Sequence, residues 1–347
     1  MSHGGDVYRI AERLGVPERR VMDFSASINP LGMPKSSIKE IKKAMSSLGN
    51  YPDLDAGIFA LKVSDRFGLE PGRVLVGNGS TELIYLILRA LSPHRVLVTS
   101  PAFSEYERAS RAAGAKVFFL KVKRKNGYRI EPCEYINAMK GADLAFLCNP
   151  NNPTGDVLER DEVMEVAKSA RREKCLLVVD EAFIDFVPGA SVLGVRDNPY
   201  LIVLRSMTKF YAMAGLRLGF GYFPAGVAGR LRAFKEPWSV NTLAERAGAA
   251  ALDDTKHARM TFELMDAEKR YLEKRLGKIG LKYYPSRVNF YLIETGRANE
   301  VVSGLLDKRL LVRDCSNFRG LGNGHIRIAV RSRRDNAMLL NGLSDVL

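Results

Sequence analysis

Short apolar runs alternate with amphipathic segments between residues 70 and 223 of the chain. The amphipathic segments, such as "STELIYLILRAL" and "ERDEVMEVAKSARR", repeat their apolar positions with the period of a helix. The apolar runs are rich in Val, Ile and Leu and predict seven buried strands, at 73–77, 95–99, 116–120, 144–148, 176–180, 201–205 and 216–223. Buried strands separated by helices are typical of a mostly parallel sheet that is covered on both faces. The pattern therefore predicts an α/β domain.

The pattern changes after residue 225, where long helical patterns are followed by short strands. The helical patterns lie in "NTLAERAGAAALDD" and "KHARMTFELMDAEKRYLEKRLGKIG", and the strands in "YYPSRVNFYLIE", "LLVRD" and "HIRIAVR". This change predicts a second, α+β domain. We expect an N-terminal segment at 1–48 that packs with this small domain, a large domain at 49–240 and the small domain at 241–347.

Composition narrows the class of protein. Apolar residues make up 46% of the 347 positions and charged residues 27%, as in ordinary soluble globular proteins. No apolar run reaches the roughly 18 residues needed to cross a bilayer, and no secretory signal pattern is visible. The four cysteines form no C-x-x-C pair. We therefore expect a cytoplasmic protein without disulfides, without a metal site and without a membrane partner.

The net charge of +14 raises the alternative of a nucleic-acid-binding protein. The densest basic runs, at 121–125 and 331–334, are short, and no recognition helix, zinc finger or RNP motif accompanies them. We therefore expect no nucleic-acid partner. A basic chain also raises the local concentration of small anionic substrates.

Polar side chains follow the predicted strands at the ends where ligands bind in an open α/β sheet. "GNGSTE" opens a helix with small residues and hydroxyls, which suits a phosphate group. "SPAFSEY" offers an aromatic ring, "NPNNPTG" offers side-chain amides, and "DEAF" begins at the tip of its strand. "RSMTK" brings a hydroxyl and a lysine to the same edge. Each motif alone is common in turns and helix caps, but together they indicate one binding site.

These motifs resemble those of fold type I pyridoxal-5′-phosphate (PLP) enzymes of the aminotransferase superfamily. S-x-x-K with an Arg eight residues later matches Ser206, Lys209 and Arg217. D-E-A-[FY] matches 180–183, and N-P-T-G matches 152–155. The resemblance spans nearly the whole chain. It implies an α/β large domain, whose mostly parallel seven-stranded sheet is flanked by helices, and a smaller α+β domain.

The resemblance also implies roles for single residues. Lys209 would be the catalytic lysine that forms a Schiff base with PLP, and Asp180 would pair with the pyridine nitrogen. Asn152 would bind the 3′-oxygen of the cofactor, and Phe103 would stack on its ring. The residues implied at the cofactor's phosphate are Ser80, Thr81, Ser206, Thr208 and Arg217, with Tyr51 reaching it from the neighbouring subunit of a homodimer.

Phe183 is a departure from the pattern of this superfamily, because many relatives have a tyrosine at this position. One hydrogen bond to the cofactor's 3′-oxygen is therefore missing, and the Schiff base should stay protonated to higher pH.

Two branches of the superfamily resemble the chain most: the L-threonine-O-3-phosphate decarboxylases and the histidinol-phosphate aminotransferases. "HGGDVYRIAERLG", "MDFSASINPLGMP" and "KEPWSVNTLAERAG" resemble segments of the first. The resemblance implies that Arg327 binds the carboxylate of a small phosphorylated amino acid and Arg313 its phosphate. The other residues implied at the substrate are His3, Asn29, Gly32 and Asn152.

The expected reaction is decarboxylation of L-threonine O-3-phosphate to (R)-1-amino-2-propanol O-2-phosphate for cobalamin biosynthesis. The alternative is an aminotransferase that acts on histidinol phosphate or a related substrate with 2-oxoglutarate. Which of the two reactions occurs depends on which bond at Cα stands perpendicular to the cofactor ring.

Overall fold

The structure is a computed structural model that describes residues 4–347 of the chain. Within this range the chain forms thirteen β-strands and twelve α-helices. The strands are β1 (Met22–Asp23), β2 (Val74–Asn78), β3 (Arg95–Ser100), β4 (Lys116–Lys121), β5 (Leu144–Cys148), β6 (Leu176–Asp180), β7 (Leu201–Ser206), β8 (Leu218–Tyr222), β9 (Lys282–Tyr283), β10 (Phe290–Glu294), β11 (Leu310–Leu311), β12 (Arg313–Asp314) and β13 (His325–Ala329). The helices are α1 (Val7–Leu14), α2 (Lys35–Ala44), α3 (Gly57–Phe67), α4 (Gly79–Leu91), α5 (Glu105–Ala112), α6 (Pro132–Met139), α7 (Arg160–Glu173), α8 (Ala225–Arg232), α9 (Thr242–Leu252), α10 (Thr255–Lys278), α11 (Ala298–Asp307) and α12 (Arg333–Val346).

The large sheet has seven strands in the order β2-β8-β7-β6-β5-β3-β4. β8 pairs antiparallel with both β2 and β7, and the other neighbouring strands pair in parallel. All seven predicted strands are present, and the predicted α/β fold with a mostly parallel sheet is confirmed. β8 begins at Leu218, later than predicted, because Arg217 has a φ of 60°, outside the range of a strand.

Helices cover both faces of this sheet, and its inner strands β5, β6, β7 and β8 are buried over almost their whole length. Successive residues point to opposite faces. Val96 and Val98 pack with α4, α5 and α8, whereas Leu97 between them packs with α6 and α7. This arrangement explains why the strands read as continuous apolar runs.

The C-terminal region has its own antiparallel sheet, in the order β12-β13-β10-β9. Its core includes Phe290, Ile326 and Leu339. The N-terminal segment joins this region where β1 pairs in parallel with β11, with Met22 opposite Leu310. α9 packs against α2 and α3 and belongs to the core on the β2 and β8 side of the large sheet. The domain boundaries after residues 48 and 240 stay a prediction.

None of the helices within 4–347 is long and apolar enough to span a bilayer. All four cysteines are unpaired; Cys133 is exposed, and Cys148, Cys175 and Cys315 are buried. Over the same residues, no cluster of His, Cys, Asp and Glu could hold a metal ion.

Candidate active site

A cavity of about 420 Å³ lies at the carboxyl ends of the large sheet and is closed on one side by β12 and β13. Side chains from both the large sheet and the C-terminal region line it. The residues predicted from the sequence that line this cavity are Ser80, Thr81, Phe103, Asn152, Asp180, Ser206, Thr208, Lys209, Arg217, Arg313 and Arg327. The fold therefore brings these eleven predicted residues to one place.

Lys209 lies three residues beyond the end of β7 and is half-buried. Its Nζ is 5.6 Å from the centre of the Phe183 ring. Burial, and then the positive charges of Arg327 and Arg217, lowers the pKa of the Lys209 amine from 10.5 to about 8. A lower pKa leaves more of the amine neutral near physiological pH, and the neutral amine is the form that attacks a carbonyl group.

Asp180 is the last residue of β6, and its carboxylate is buried at the cavity. Its Oδ2 accepts a hydrogen bond of 2.6 Å from the Tyr106 hydroxyl, and its Oδ1 accepts one of 3.0 Å from the Ala182 N–H. Burial raises the pKa of Asp180, and the Tyr106 hydrogen bond and the nearby charge of Lys209 oppose this rise. The two hydrogen bonds fix the carboxylate in one orientation.

The start of α4 and the end of β7 form a seat for an anion. Ser80 and Thr81, in the first turn of α4, line the same cavity as Ser206 and Thr208. The Ser206 and Thr208 oxygens are 2.8 Å apart. Helix N-termini with nearby hydroxyls bind phosphate groups well.

Two glycines let the backbone and a guanidinium approach this seat closely. Gly79 has a φ of 74°, and a Cβ there would lie 2.5 Å from Nη2 of Arg217. Gly219 on β8 lies so close to the start of α4 that a Cβ would collide with the Ser80 N–H, and it would also lie 2.8 Å from the Arg205 carbonyl oxygen. The two glycines therefore allow Arg217 and β8 to approach the start of α4 closely.

These groups fit PLP. Lys209 offers an amine for the cofactor's aldehyde, and the seat of N–H, hydroxyl and guanidinium groups suits its phosphate. Asp180 offers a buried carboxylate for the ring nitrogen. A Cβ at Gly79 would collide with the Arg217 guanidinium, so the glycine leaves room for Arg217 beside the phosphate seat.

Two buried arginines form the opposite wall of the cavity. Arg313 and Arg327 are direct partners on the antiparallel strands β12 and β13, so their Cα atoms are about 5 Å apart. Burial lowers the pKa of Arg313 and that of Arg327, the latter to about 10, so both stay charged at neutral pH. Two buried positive charges side by side favour a ligand with negative charge.

Each arginine is held by specific partners. Arg327 Nη2 donates to the Ser25 carbonyl oxygen at 2.8 Å, and Nη1 donates to Oδ1 of Asn152. The Nε of Arg327 is buried with no hydrogen-bond partner among residues 4–347. Arg313 Nη2 donates to Oδ1 of Asn317 at 2.8 Å, and its guanidinium lies 4.9 Å from the centre of the Phe318 ring.

Three predicted site residues do not line the cavity. Tyr51 is 81% exposed and stacks on Trp238, with ring centres 4.8 Å apart. Asn29 is buried, and its amide donates to the Phe210 carbonyl oxygen. The backbone N–H of Asn29 donates to the Lys209 carbonyl oxygen at 3.1 Å. The Gly32 N–H donates to the Asn29 carbonyl oxygen, also at 3.1 Å. His3 lies outside the residues that the structure describes. The roles of these residues stay predictions.

Sequence reasoning missed Tyr106, which holds Asp180. Its signal was present in "PAFSEY", where Tyr106 follows the predicted ring-stacking Phe103 by about one helical turn. It also missed the wall formed by Gly4, Ser25 and Ala26. Gly5 N–H donates to the Ser25 hydroxyl at 2.8 Å, and a Cβ on Gly4 would collide with the Ser25 carbonyl group. Gly4 and Gly5 thus pack directly on the loop after β1.

Comparison with known proteins identifies the family. The family model "Aminotransferase class I and II" matches residues 19–344. Threonine-phosphate decarboxylase of Salmonella typhimurium strain LT2 is 35% identical, and the match covers 100% of this chain and 96% of that protein. Histidinol-phosphate aminotransferase of Thermoanaerobacter sp. strain X514 is 34% identical, covering 96% of this chain and 94% of that protein.

Solved structures confirm the fold. The crystal structure of histidinol-phosphate aminotransferase from Sinorhizobium meliloti in complex with pyridoxal-5′-phosphate superposes with a TM-score of 0.89 at 20% identity, covering 99% of this chain and 94% of that one. Because the family model spans most of the sequence and full-length relatives exceed 30% identity, the chain belongs to the class I and II aminotransferase family of PLP enzymes.

Proposed function

We propose that the protein decarboxylates L-threonine O-3-phosphate to (R)-1-amino-2-propanol O-2-phosphate and so serves cobalamin biosynthesis. The observation that carries this proposal is the pair of buried arginines, Arg313 and Arg327, in register on one wall of the cavity. The pair suits one amino substrate with two anionic groups. Threonine phosphate has a carboxylate and a phosphate, whereas histidinol phosphate has only the phosphate.

The cavity residues divide between cofactor and substrate. Lys209 would hold PLP covalently, Asp180 would face its ring nitrogen, Asn152 its 3′-oxygen, and Phe103 the face of its ring. The groups at its phosphate would be Ser80, Thr81, Ser206, Thr208 and Arg217. When bound, PLP supplies an electron sink for the electron pair of the bond that breaks at Cα.

Lys209 would also move the proton that the reaction needs. Its pKa of about 8 lets the amine exist in both the neutral and the protonated form near physiological pH. A group whose pKa lies near the working pH is an efficient general acid and base. After CO₂ has left, Nζ of Lys209 would donate a proton to Cα, and the product amine would depart without a second substrate.

Arg327 and Arg313 would orient the substrate. Arg327 would bind the carboxylate and Arg313 the phosphate, each with the paired hydrogen bonds that a guanidinium offers. Binding a carboxylate that must leave as neutral CO₂ also stabilises the ground state, which slows the step. Arg327 must therefore speed the reaction by orienting the substrate. The hydrogen bonds from Arg327 to Ser25 and Asn152 hold its guanidinium in one place for this role.

A homodimer with Tyr51 near the partner's cofactor phosphate fits the exposed surface. Large apolar side chains are exposed from the end of α2 to α3, which is unusual for the surface of a monomer. They are Met45, Leu48, Tyr51, Leu54, Ile58 and Leu61. Trp238 stacks on Tyr51 in the same region and is itself 44% exposed.

An aminotransferase acting on histidinol phosphate or a related phosphorylated substrate is the second candidate. The 34% identity to histidinol-phosphate aminotransferase over nearly the whole chain favours it. Its amino acceptor, 2-oxoglutarate, carries two carboxylates, which would also suit two arginines.

Incubation of the holoenzyme with L-threonine phosphate tests the proposal. Release of CO₂ without any keto acid is expected, and Lys209→Ala should abolish it. Amino transfer that requires 2-oxoglutarate, with no CO₂ released, would contradict decarboxylation and support the aminotransferase. A protein that takes up no PLP and retards RNA would contradict both.

A further inference from the structure

The segment between β12 and β13 crosses from the C-terminal sheet onto the large domain. The Ser100 hydroxyl, at the end of β3, donates to the Arg319 carbonyl oxygen at 2.8 Å. Gly320 next to it has a φ of 91° and lies against Ser100, where a Cβ would be 3.1 Å from the hydroxyl oxygen. Two residues at the tip of the segment are therefore docked on one strand end.

An ion pair reinforces this docking. Arg319 Nη2 donates to Oε1 of Glu107 at 2.8 Å, and its Nε donates to Oε2 at 3.3 Å, so both carboxylate oxygens are bound. The guanidinium of Arg319 also lies 4.3 Å from the centre of the Phe119 ring on β4. Although burial opposes it, the hydrogen bonds from Arg319 and Arg111 lower the pKa of Glu107.

Both partners of the ion pair are attached to walls of the active-site cavity. Arg319 follows Asn317 and Phe318, which contact the Arg313 guanidinium. Glu107 is the residue after Tyr106 on α5, and the Tyr106 hydroxyl donates a hydrogen bond to Asp180. A second cavity, of about 410 Å³, includes Glu107 and Arg319 in its lining and shares Arg313, Phe318, Phe103 and Ser104 with the first.

We propose that Glu107 and Arg319 form a positioning pair that fixes Arg313 and Phe318 against α5 and thereby sets the affinity for the substrate's phosphate group. This inference rests on the proposed role of Arg313 at that phosphate. Neither member of the pair lines the first cavity, so the pair acts through Arg313.

Loss of the Glu107–Arg319 ion pair should weaken substrate binding rather than the stability of the fold. The side chains of Arg319 and Glu107 are 52% and 25% exposed, and ion pairs of this kind contribute little to the stability of a fold. The Arg313 guanidinium, in contrast, is oriented by Asn317 and Phe318, whose positions depend on where the segment docks. Losing the pair should therefore loosen Arg313 while the protein remains folded.

Arg111 provides a matched control. It lies on α5, and its Nε donates at 2.9 Å to Oε1 of Glu107, the oxygen that also accepts from Nη2 of Arg319. Its side chain is 57% exposed, close to the value for Arg319. Arg111→Gln removes a guanidinium partner of Glu107 without touching the contact between the segment and α5.

The experiment compares wild type, Arg319→Gln, Arg319→Lys and Arg111→Gln by steady-state kinetics with L-threonine phosphate and by inhibition with inorganic phosphate. For Arg319→Gln, we expect KM and the inhibition constant of phosphate to rise about twofold to fivefold, with little change in kcat. Arg319→Lys should recover part of the loss, and Arg111→Gln should behave as wild type. An unchanged KM in Arg319→Gln, or an equal rise in Arg111→Gln, would overturn the proposal.

A binding measurement separates this inference from the proposed reaction. The dissociation constant of L-threonine phosphate follows from the change it causes in the visible spectrum of the bound cofactor, whichever bond then breaks. If wild type binds the compound but releases no CO₂, the proposed reaction is wrong. The positioning pair is still supported if Arg319→Gln weakens this binding and Arg111→Gln does not, and it is refuted if all variants bind equally.

Discussion

Tyr106 is the residue that connects helix α5 to the buried carboxylate of Asp180. Tyr106→Phe removes the 2.6 Å hydrogen bond to Oδ2 and should raise the pKa of Asp180 further, since this bond opposes the rise caused by burial. A carboxylate that is protonated more often pairs less well with a ring nitrogen. We expect the apparent dissociation constant of PLP to rise about tenfold, in keeping with the loss of one hydrogen bond to a charged group. Titration of the apoenzyme with PLP measures it.

Tyr135→Phe is the control for this change. Tyr135 is equally buried, but its hydroxyl has no hydrogen-bond partner among residues 4–347. Removing a buried, unpaired hydroxyl costs no contact, so PLP affinity should stay within about twofold of wild type. Equal affinities in the two variants would show that the Tyr106 hydroxyl does not support the cofactor.

Lys209 should give the uptake of PLP a characteristic pH dependence. The pKa of its amine is lowered by burial and by Arg327 and Arg217, to about 8. Because only the neutral amine attacks the aldehyde, the rate of uptake by the apoenzyme should rise with pH and level off above a midpoint near 8. The increase of visible absorbance with time measures this rate.

Arg327→Gln tests the cause of that lowered pKa. It removes one of the two positive charges that destabilise the protonated amine, so the midpoint should move to higher pH. A wild-type midpoint near 10.5, the pKa of an ordinary lysine, would contradict the prediction. So would a midpoint that Arg327→Gln moves downward.

At the scale of elements, β8 sets the position of helix α4. Gly219→Ala would place a methyl group against the Ser80 N–H and 2.8 Å from the Arg205 carbonyl oxygen. Backbone atoms cannot move aside cheaply, so the start of α4 must shift, and the fold should lose about 1–3 kcal/mol. PLP affinity should fall as well, because the phosphate seat moves. Denaturant unfolding and PLP titration measure the two effects.

Gly229→Ala on α8 is the control for Gly219→Ala, because it adds the same methyl group at another glycine. A Cβ at Gly229 would meet no atom of residues 4–347 within 4 Å, and alanine favours a helix interior. We expect a gain in stability of up to about 1 kcal/mol and unchanged PLP affinity. A Gly219→Ala protein as stable as wild type would contradict the close approach of β8 and α4.

The strands and the cofactor residues could be predicted because each has a local signal. β5 and β6 are continuous apolar runs, and Asn152 and Asp180 lie at or just beyond their ends, where the sheet topology brings them together. Contacts between distant segments have no such signal. The pairing of Glu107 with Arg319 spans 212 positions and depends on how the segment after β12 docks. The packing of α9 on the side of the large sheet also depends on tertiary contacts rather than on its helical pattern.

At the scale of the whole molecule, the exposed apolar residues between α2 and α3 predict a homodimer. Leu54 is 56% exposed in the single chain and lies three residues from Tyr51. Leu54→Glu should leave the chain folded, because the side chain packs little in the monomer. It should weaken self-association, since burying a carboxylate in an apolar interface is costly. Sedimentation velocity should then show a dimer for wild type and a larger monomer fraction for Leu54→Glu.

Loss of the dimer should also weaken cofactor binding, because the proposed role of Tyr51 places its hydroxyl at the partner's phosphate seat. Leu54→Glu should therefore retain less PLP after dialysis than wild type. Met338→Glu, on α12 and 42% exposed, introduces the same charge on a different surface and should change neither quantity. A wild-type protein that sediments as a monomer with a full complement of PLP would refute both the dimer and the role of Tyr51, since the site of one chain would then be complete on its own.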